Sequence, residues 1–98
     1  MENKYELLLN YSDPRRVKIL AKQFLGDDVP LYVSTRKNKK YMIRDPNGKM
    51  IHFGEMGYED FSKHMDLDRR KSFVSRNAKW AKQDKYTAGW LSYNLLWT

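Results

Sequence analysis

Tyr41-Met42-Ile43-Arg44-Asp45-Pro46-Asn47-Gly48-Lys49-Met50-Ile51-His52-Phe53 is the stretch that decides the fold of this 98-residue chain. Two apolar runs flank Asp-Pro-Asn-Gly. Pro46 presets φ for the second turn position and Gly48 accepts a positive φ, so these four residues reverse the chain. Period-two alternation then sets the faces. Tyr41 and Ile43 share one face of the first strand, and Ile51 and Phe53 share one face of the second. Just upstream, Leu31 to Thr35 is rich in β-branched and aromatic residues. It is expected to add a third antiparallel strand through the loop Arg36 to Lys39.

Outward from the hairpin, the pattern changes to helical. Ser12 or Asp13 can cap a helix that starts at Pro14, and Val17, Leu20, Ala21 and Phe24 fall at helical spacing before Gly26. Tyr5 to Asn10 reads as a short strand. Tyr58 to His64 reads as a short helix or packed loop, with Tyr58 and Phe61 folding back as core anchors. Asp66 caps a second helix from Leu67 to about Asn77, whose apolar side (Leu67, Phe73, Val74, Ala78) is thin and implies half exposure. Lys79 to Tyr86 is polar and reads as a loop. Thr87 caps a last helix carrying Trp90, Leu91, Tyr93, Leu95 and Trp97. That segment is too apolar to hang free and is expected to pack over Tyr41, Ile43, Ile51, Phe53 and Phe61. The expected fold is α+β: a small antiparallel sheet around the central hairpin, packed with short helices, in one domain spanning 1–98.

The charge is uneven. The chain carries 19 Lys and Arg against 12 Asp and Glu, a net +7. Arg36 to Lys49 holds six basic residues and one acid, and Arg69 to Lys85 holds seven and one. Between them, Glu55 to Asp68 holds five acids against Lys63. Two basic blocks flanking an acidic belt suit phosphates or an acidic protein surface; a solvated surface laced with internal ion pairs is the plainer alternative. Arg36, Lys37, Lys39 and Lys40 are expected to form one exposed positive lobe. Exchanging all four for Gln should then leave the melting temperature within a few degrees. Asp60 and Asp66 are expected to face Arg69 and Arg70 in a half-buried network.

Catalytic chemistry is hard to assemble from these residues. There are no cysteines, which excludes disulfides, a thiol nucleophile and cysteine-based zinc sites. No serine lies in a nucleophile elbow, and no glycine-rich phosphate loop occurs. His52, His64 and Asp66 contain the residue types of a metal site, but their spacing does not demand one, and both histidines are read as structural, His64 as a brace for the helix start. Trp80, Trp90 and Trp97 either build the core or meet a partner; Trp80, between Lys79 and Lys82, is expected to be the most exposed. No apolar run approaches the ~18 residues of a membrane span, and the short N-terminal leucine run is no signal sequence. A soluble, intracellular protein is expected.

From Lys39 to Trp97 the chain resembles a family of small basic proteins from large DNA viruses and tailed bacteriophages. The matching residues are Lys40, His52-Phe53-Gly54, Gly57-Tyr58-Glu59-Asp60-Phe61, His64, Asp66, Arg69-Arg70, Arg76, and Ser92 to Trp97. Members often carry Arg-His at the end of the second helix, where this chain has Arg76-Asn77, so no role passes to that position. The resemblance implies a viral source, a place in the virion and no catalytic activity. It leaves 1–35 as a helix-containing N-terminal addition to a family-like core, 36–98.

The leading expectation is therefore a non-enzymatic structural protein of a virus particle. It would be an auxiliary or minor capsid component that docks on the major capsid shell, with host cytoplasm as its location before assembly. Its partner-facing residues would be Arg36, Lys37, Lys39, Lys40, Arg69, Arg70, Lys71, Arg76, Lys79 and Trp80. One alternative is a nucleic-acid-binding protein on the packaged DNA; a further one is an inhibitor of a host protein. No cofactor and no membrane partner are expected, and homo-oligomerisation is left open.

Overall fold

The computed structural model describes residues 3–98 and has the expected α+β architecture. Strands β1 (Leu31–Val33), β2 (Lys39–Arg44) and β3 (Met50–Glu55) form an antiparallel sheet in the order β1-β2-β3. Tyr41 lies opposite Phe53 and Ile43 opposite Ile51, as the alternation required. The turn is tied by its own aspartate, whose carboxylate accepts the Asn47 N–H at 2.9 Å and the Lys49 N–H at 2.8 Å. Tyr41, Ile43 and Phe53 are fully buried and lay down the floor of the core.

Helices cover that floor. Residues Lys4–Leu8 form α1, with the Asn3 side chain accepting the Glu6 N–H at 2.8 Å. This corrects the strand expected at Tyr5 to Asn10. Three consecutive leucines fit either period, and an N-cap decides for a helix in which Leu8 alone is fully buried. The second helix, α2 (Pro14–Leu25), is capped by Asp13 and buries Val17, Leu20 and Ala21. Phe24 extends that stripe and meets Trp90 edge-on at 5.8 Å.

Beyond the sheet come α3 (Phe61–His64) and α4 (Leu67–Arg76), the latter capped by the Asp66 carboxylate. A 3-10 turn over Ala78–Lys82 replaces part of the loop expected from Lys79. The capping Thr87 starts α5 (Ala88–Leu91), which widens into a π turn over Ser92–Leu96. The wide turn brings Leu91, Leu95 and Leu96 inward together, and all three are buried against the sheet and α2. The C-terminus thus closes the same core as the hairpin. Phe61 is buried as expected, whereas Tyr58 is 73% exposed and anchors nothing. Among the described residues, no helix is long and apolar enough to cross a membrane.

Gly54 shows how tightly the ends of β2 and β3 are built. Its φ is +82°, and a Cβ there would stand 2.9 Å from Leu96 Cδ1 and 3.2 Å from the Lys40 stem. Replacing it with Ala adds a positive-φ penalty to a steric one. A loss of about 1–3 kcal/mol in denaturant unfolding is expected.

Candidate functional site

Lys40 was expected on an exposed lobe, and the structure corrects this: it is 2% exposed. It lies on the sheet face opposite Tyr41, but the chain from Tyr58 to Asp60 closes over it. Its Nζ donates to the Tyr58 carbonyl at 2.6 Å and to Asp60 Oδ2 at 3.0 Å. Its stem crosses Gly54, where a side chain would obstruct it. Burial holds the ammonium below the ordinary lysine pKa, with the Asp60 carboxylate opposing that shift. From Asp60 the network continues inward: the Ser62 hydroxyl donates to Asp60, lies 3.1 Å from Ser12 Oγ, and Ser12 lies 2.6 Å from the Tyr41 hydroxyl. Burial raises the Tyr41 pKa, so this end of the network stays protonated. The network joins β2, α3 and the residue just before the Asp13 cap. It satisfies buried polar groups from three parts of the chain.

The other basic residues divide sharply. Lys39 is half-buried and paired with Glu55. Arg70 donates from Nε to the Trp97 carbonyl at 2.9 Å and lies over the Phe61 ring at 5.5 Å, so it pins the C-terminus. Neither Asp60 nor Asp66 faces Arg69 and Arg70 as an ion-pair partner. Asp60 is committed to Lys40, Asp66 accepts the Asp68 and Arg69 N–H groups, and Arg69 reaches Glu59 at 3.8 Å. Arg36, Lys37, Lys71, Arg76 and Lys79 are exposed, with no ion-pair partner within 4 Å among the described residues.

Helix α4 has no fully buried residue. What holds it is a run of rings. Phe61 meets His64 at 6.1 Å, His64 meets Trp97 at 5.2 Å, and Trp97 stacks on Phe73 at 4.3 Å and 4°. Phe73 then meets Trp80 edge-on at 5.7 Å. Trp80 is therefore half-buried like Trp90 and Trp97, not the exposed outlier expected from its basic neighbours. One side of its ring lies over Gly89, where a Cβ would strike both Trp80 and Gln83.

These rings wall a groove of about 480 Å³. Phe73, Trp80, Leu96 and Trp97 supply its apolar sides, and Lys39, Glu55, Glu59 and Asp60 bring both charges to it. Of the candidate residues, Lys39, Lys40 and Trp80 line the groove; Arg36, Lys37, Lys71, Arg76 and Lys79 do not. Sequence reasoning missed Gln83, Ala88, Gly89 and Ser92, which also line it. None carries a signal of its own, because only the fold of α5 against the 3-10 turn brings them together.

His64 bonds backbone directly, and His52 reaches it through a serine hydroxyl. His64 Nδ1 accepts the Asp66 N–H at 3.0 Å, as the spacing suggested, and its buried Nε2 has no hydrogen-bond partner among the described residues. His52 Nδ1 lies 2.7 Å from Ser34 Oγ, which accepts the Arg36 N–H. Burial lowers both pKa values below the ordinary 6.5, helped by Arg69 at His64 and by Arg36 and Lys4 at His52. The unfolded chain therefore binds these protons more readily than the folded one. Their contribution to stability is complete above pH 6.5 and is lost as pH falls through the lowered folded values. Urea midpoints should decline as pH falls below about 6.5, and H64Q should flatten that decline.

The chain belongs to a family of unknown function, DUF5754, whose model matches residues 29–77, half of the chain. The match takes in all three strands, α3, α4 and the Lys40–Asp60 pair. The groove walls at Trp80, Gly89, Leu96 and Trp97 lie beyond it. No curated protein and no solved structure matches the chain.

Proposed function

We propose that this protein is a non-enzymatic docking protein of a virus particle, an auxiliary component that attaches to an acidic protein surface of the capsid shell. The groove beside Trp80 carries the reading. It is apolar along its walls and mixed in charge at Glu55, Glu59 and Lys39, which suits a side chain from a protein partner better than a phosphate backbone. Lys71, Arg76 and Lys79 are exposed and unpaired on the neighbouring α4 and 3-10 turn, ready for carboxylates around that anchor. The resemblance of residues 39–97 to small basic proteins of large DNA viruses and tailed bacteriophages, whose role is undefined, is in keeping with the same reading. The amine most deeply placed in the groove, Lys40, is held by a carboxylate and a carbonyl, an arrangement that favours a structural ammonium over a nucleophile.

The test is composition and binding of purified particles. The protein should be present at fixed stoichiometry on full and DNA-free shells by mass spectrometry. The triple variant K71E/R76E/K79E should bind shells at least about tenfold more weakly with an unchanged melting temperature, since exposed charges act on association more than on folding. A88F, which fills the groove from the start of α5, should weaken binding comparably. Absence from particles, or full binding by both variants, would overturn the proposal.

A further inference from the structure

Tyr32, Met42 and His52 are direct cross-strand neighbours, one from each strand. They therefore form a row across the sheet on the face opposite the buried Tyr41 and Phe53. Tyr32 is 45% exposed, and Met42 and His52 are half-buried. No member of this row lines the groove beside Trp80. The backbones of the row are spaced about 4.8 Å apart, and the His52 imidazole leans back across β2 to Ser34 Oγ at 2.7 Å, so an aromatic ring, a thioether and an imidazole lie side by side on one face.

Exposed cations flank the row on both sides, at the two ends of the strands. Arg36 and Lys37 follow β1, and Arg36 is close enough to act electrostatically on His52. Arg44 shares the row's face one step along β2, and Lys49 lies in the turn. The nearby acids are Asp45 and Asp28, which with Tyr32 and Arg44 line a shallow hollow. The Asp45 carboxylate already accepts two backbone N–H groups. Cations therefore outnumber acids around the row.

We propose that this sheet face binds single-stranded nucleic acid, with bases stacked along the row at Tyr32 and His52 and phosphates held by Arg36-Lys37 on one side of it and Arg44-Lys49 on the other. Charge complementarity selects a polyanion, and the rings select one whose base faces are free. A duplex offers phosphates but keeps its bases stacked on each other, so it leaves the row unused. This surface is separate from the groove and stands or falls independently of the docking role.

Fluorescence anisotropy of the full chain with a labelled oligothymidylate, and with a duplex of equal length, tests the proposal. The single strand should bind at least about tenfold more tightly than the duplex. Tyr32→Ala should weaken it about tenfold, and Tyr32→Phe should retain binding. With four cations engaged, log affinity should fall against log salt with a slope of about −3, reduced by about 1.4 in R36Q/K37Q. Tyr32 is exposed, so unchanged melting of Y32A separates lost stacking from lost folding. Equal or tighter duplex binding, wild-type affinity in Y32A, or no single-strand binding at about 50 mM salt would each overturn it.

Discussion

Removal of Trp90 to Thr98 is expected to abolish the native fold. The segment supplies Leu91, Leu95 and Leu96, which are 0%, 0% and 2% exposed and make up three of the eleven buried hydrophobic residues among those described. Truncating a single buried leucine costs about 2–5 kcal/mol, against a total stability of about 5–15 kcal/mol for a domain. Losing three exceeds what a chain this size holds in reserve. The same cut removes the Trp97 ring that seats Phe73, the Trp97 carbonyl that holds Arg70, and the Thr98 carbonyl that accepts from Arg16 at 3.0 Å. Helix α4 would lose its main attachment. Circular dichroism and proton NMR should show a collapsed or aggregated chain without dispersed resonances. A monomeric truncation with a native-like spectrum would instead make the segment a docking arm for another subunit. Leu95→Ala is the milder version and should cost about 2–5 kcal/mol.

The hairpin, its register, the capped α2 and the inward fold of the C-terminus were legible because each rests on a local rule with one outcome. Asp-Pro-Asn-Gly reverses the chain, alternation fixes the faces, and an apolar end must be covered. The leucines at 7–9 were misread because a run without period fits both helix and strand, and an Asn cap is a weak mark beside it. The thin apolar side of α4 was read correctly, but its remedy was not. Nothing in a sequence announces that Phe73 will find Trp97, twenty-four residues on, as a coplanar partner.

The basic cluster at 36–40 failed for a related reason. Composition places Arg36, Lys37, Lys39 and Lys40 in one class, whereas burial separates them into two exposed, one rim-paired and one interior residue. The distinguishing signal was present but non-local. Lys40 lies opposite Gly54 in the register, a strand glycine that leaves room for a long stem, and Asp60 follows at the turn beyond. A lysine facing a glycine across a hairpin, with an aspartate shortly after, marks an internal cation once the register is known.

Lys40→Met is therefore expected to cost about 3–5 kcal/mol, the penalty for leaving a buried charge without its partner. Its ion pair with Asp60 has side chains 3% and 1% exposed, so water cannot take over from the lost ammonium. For a domain of this length, such a loss lowers the melting temperature by more than about 12 °C. R36Q/K37Q, by contrast, should stay within about 0.5 kcal/mol, because exposed loop charges contribute little. The four-residue Gln exchange thus becomes destabilising, and Lys40 alone makes it so. The double variant K40M/D60N distinguishes the charge from the packing. Removing the lysine strands the Asp60 carboxylate with Ser62 as its remaining side-chain partner, and neutralising that carboxylate relieves the penalty while preserving an acceptor for the Ser62 hydroxyl. Urea unfolding should find the double variant more stable than K40M alone, a coupling that adds to the usual non-additivity of contacting residues. If K40M melts within a few degrees of the wild type, Lys40 is not an interior cation, and the chain from Tyr58 to Asp60 does not close over it in solution.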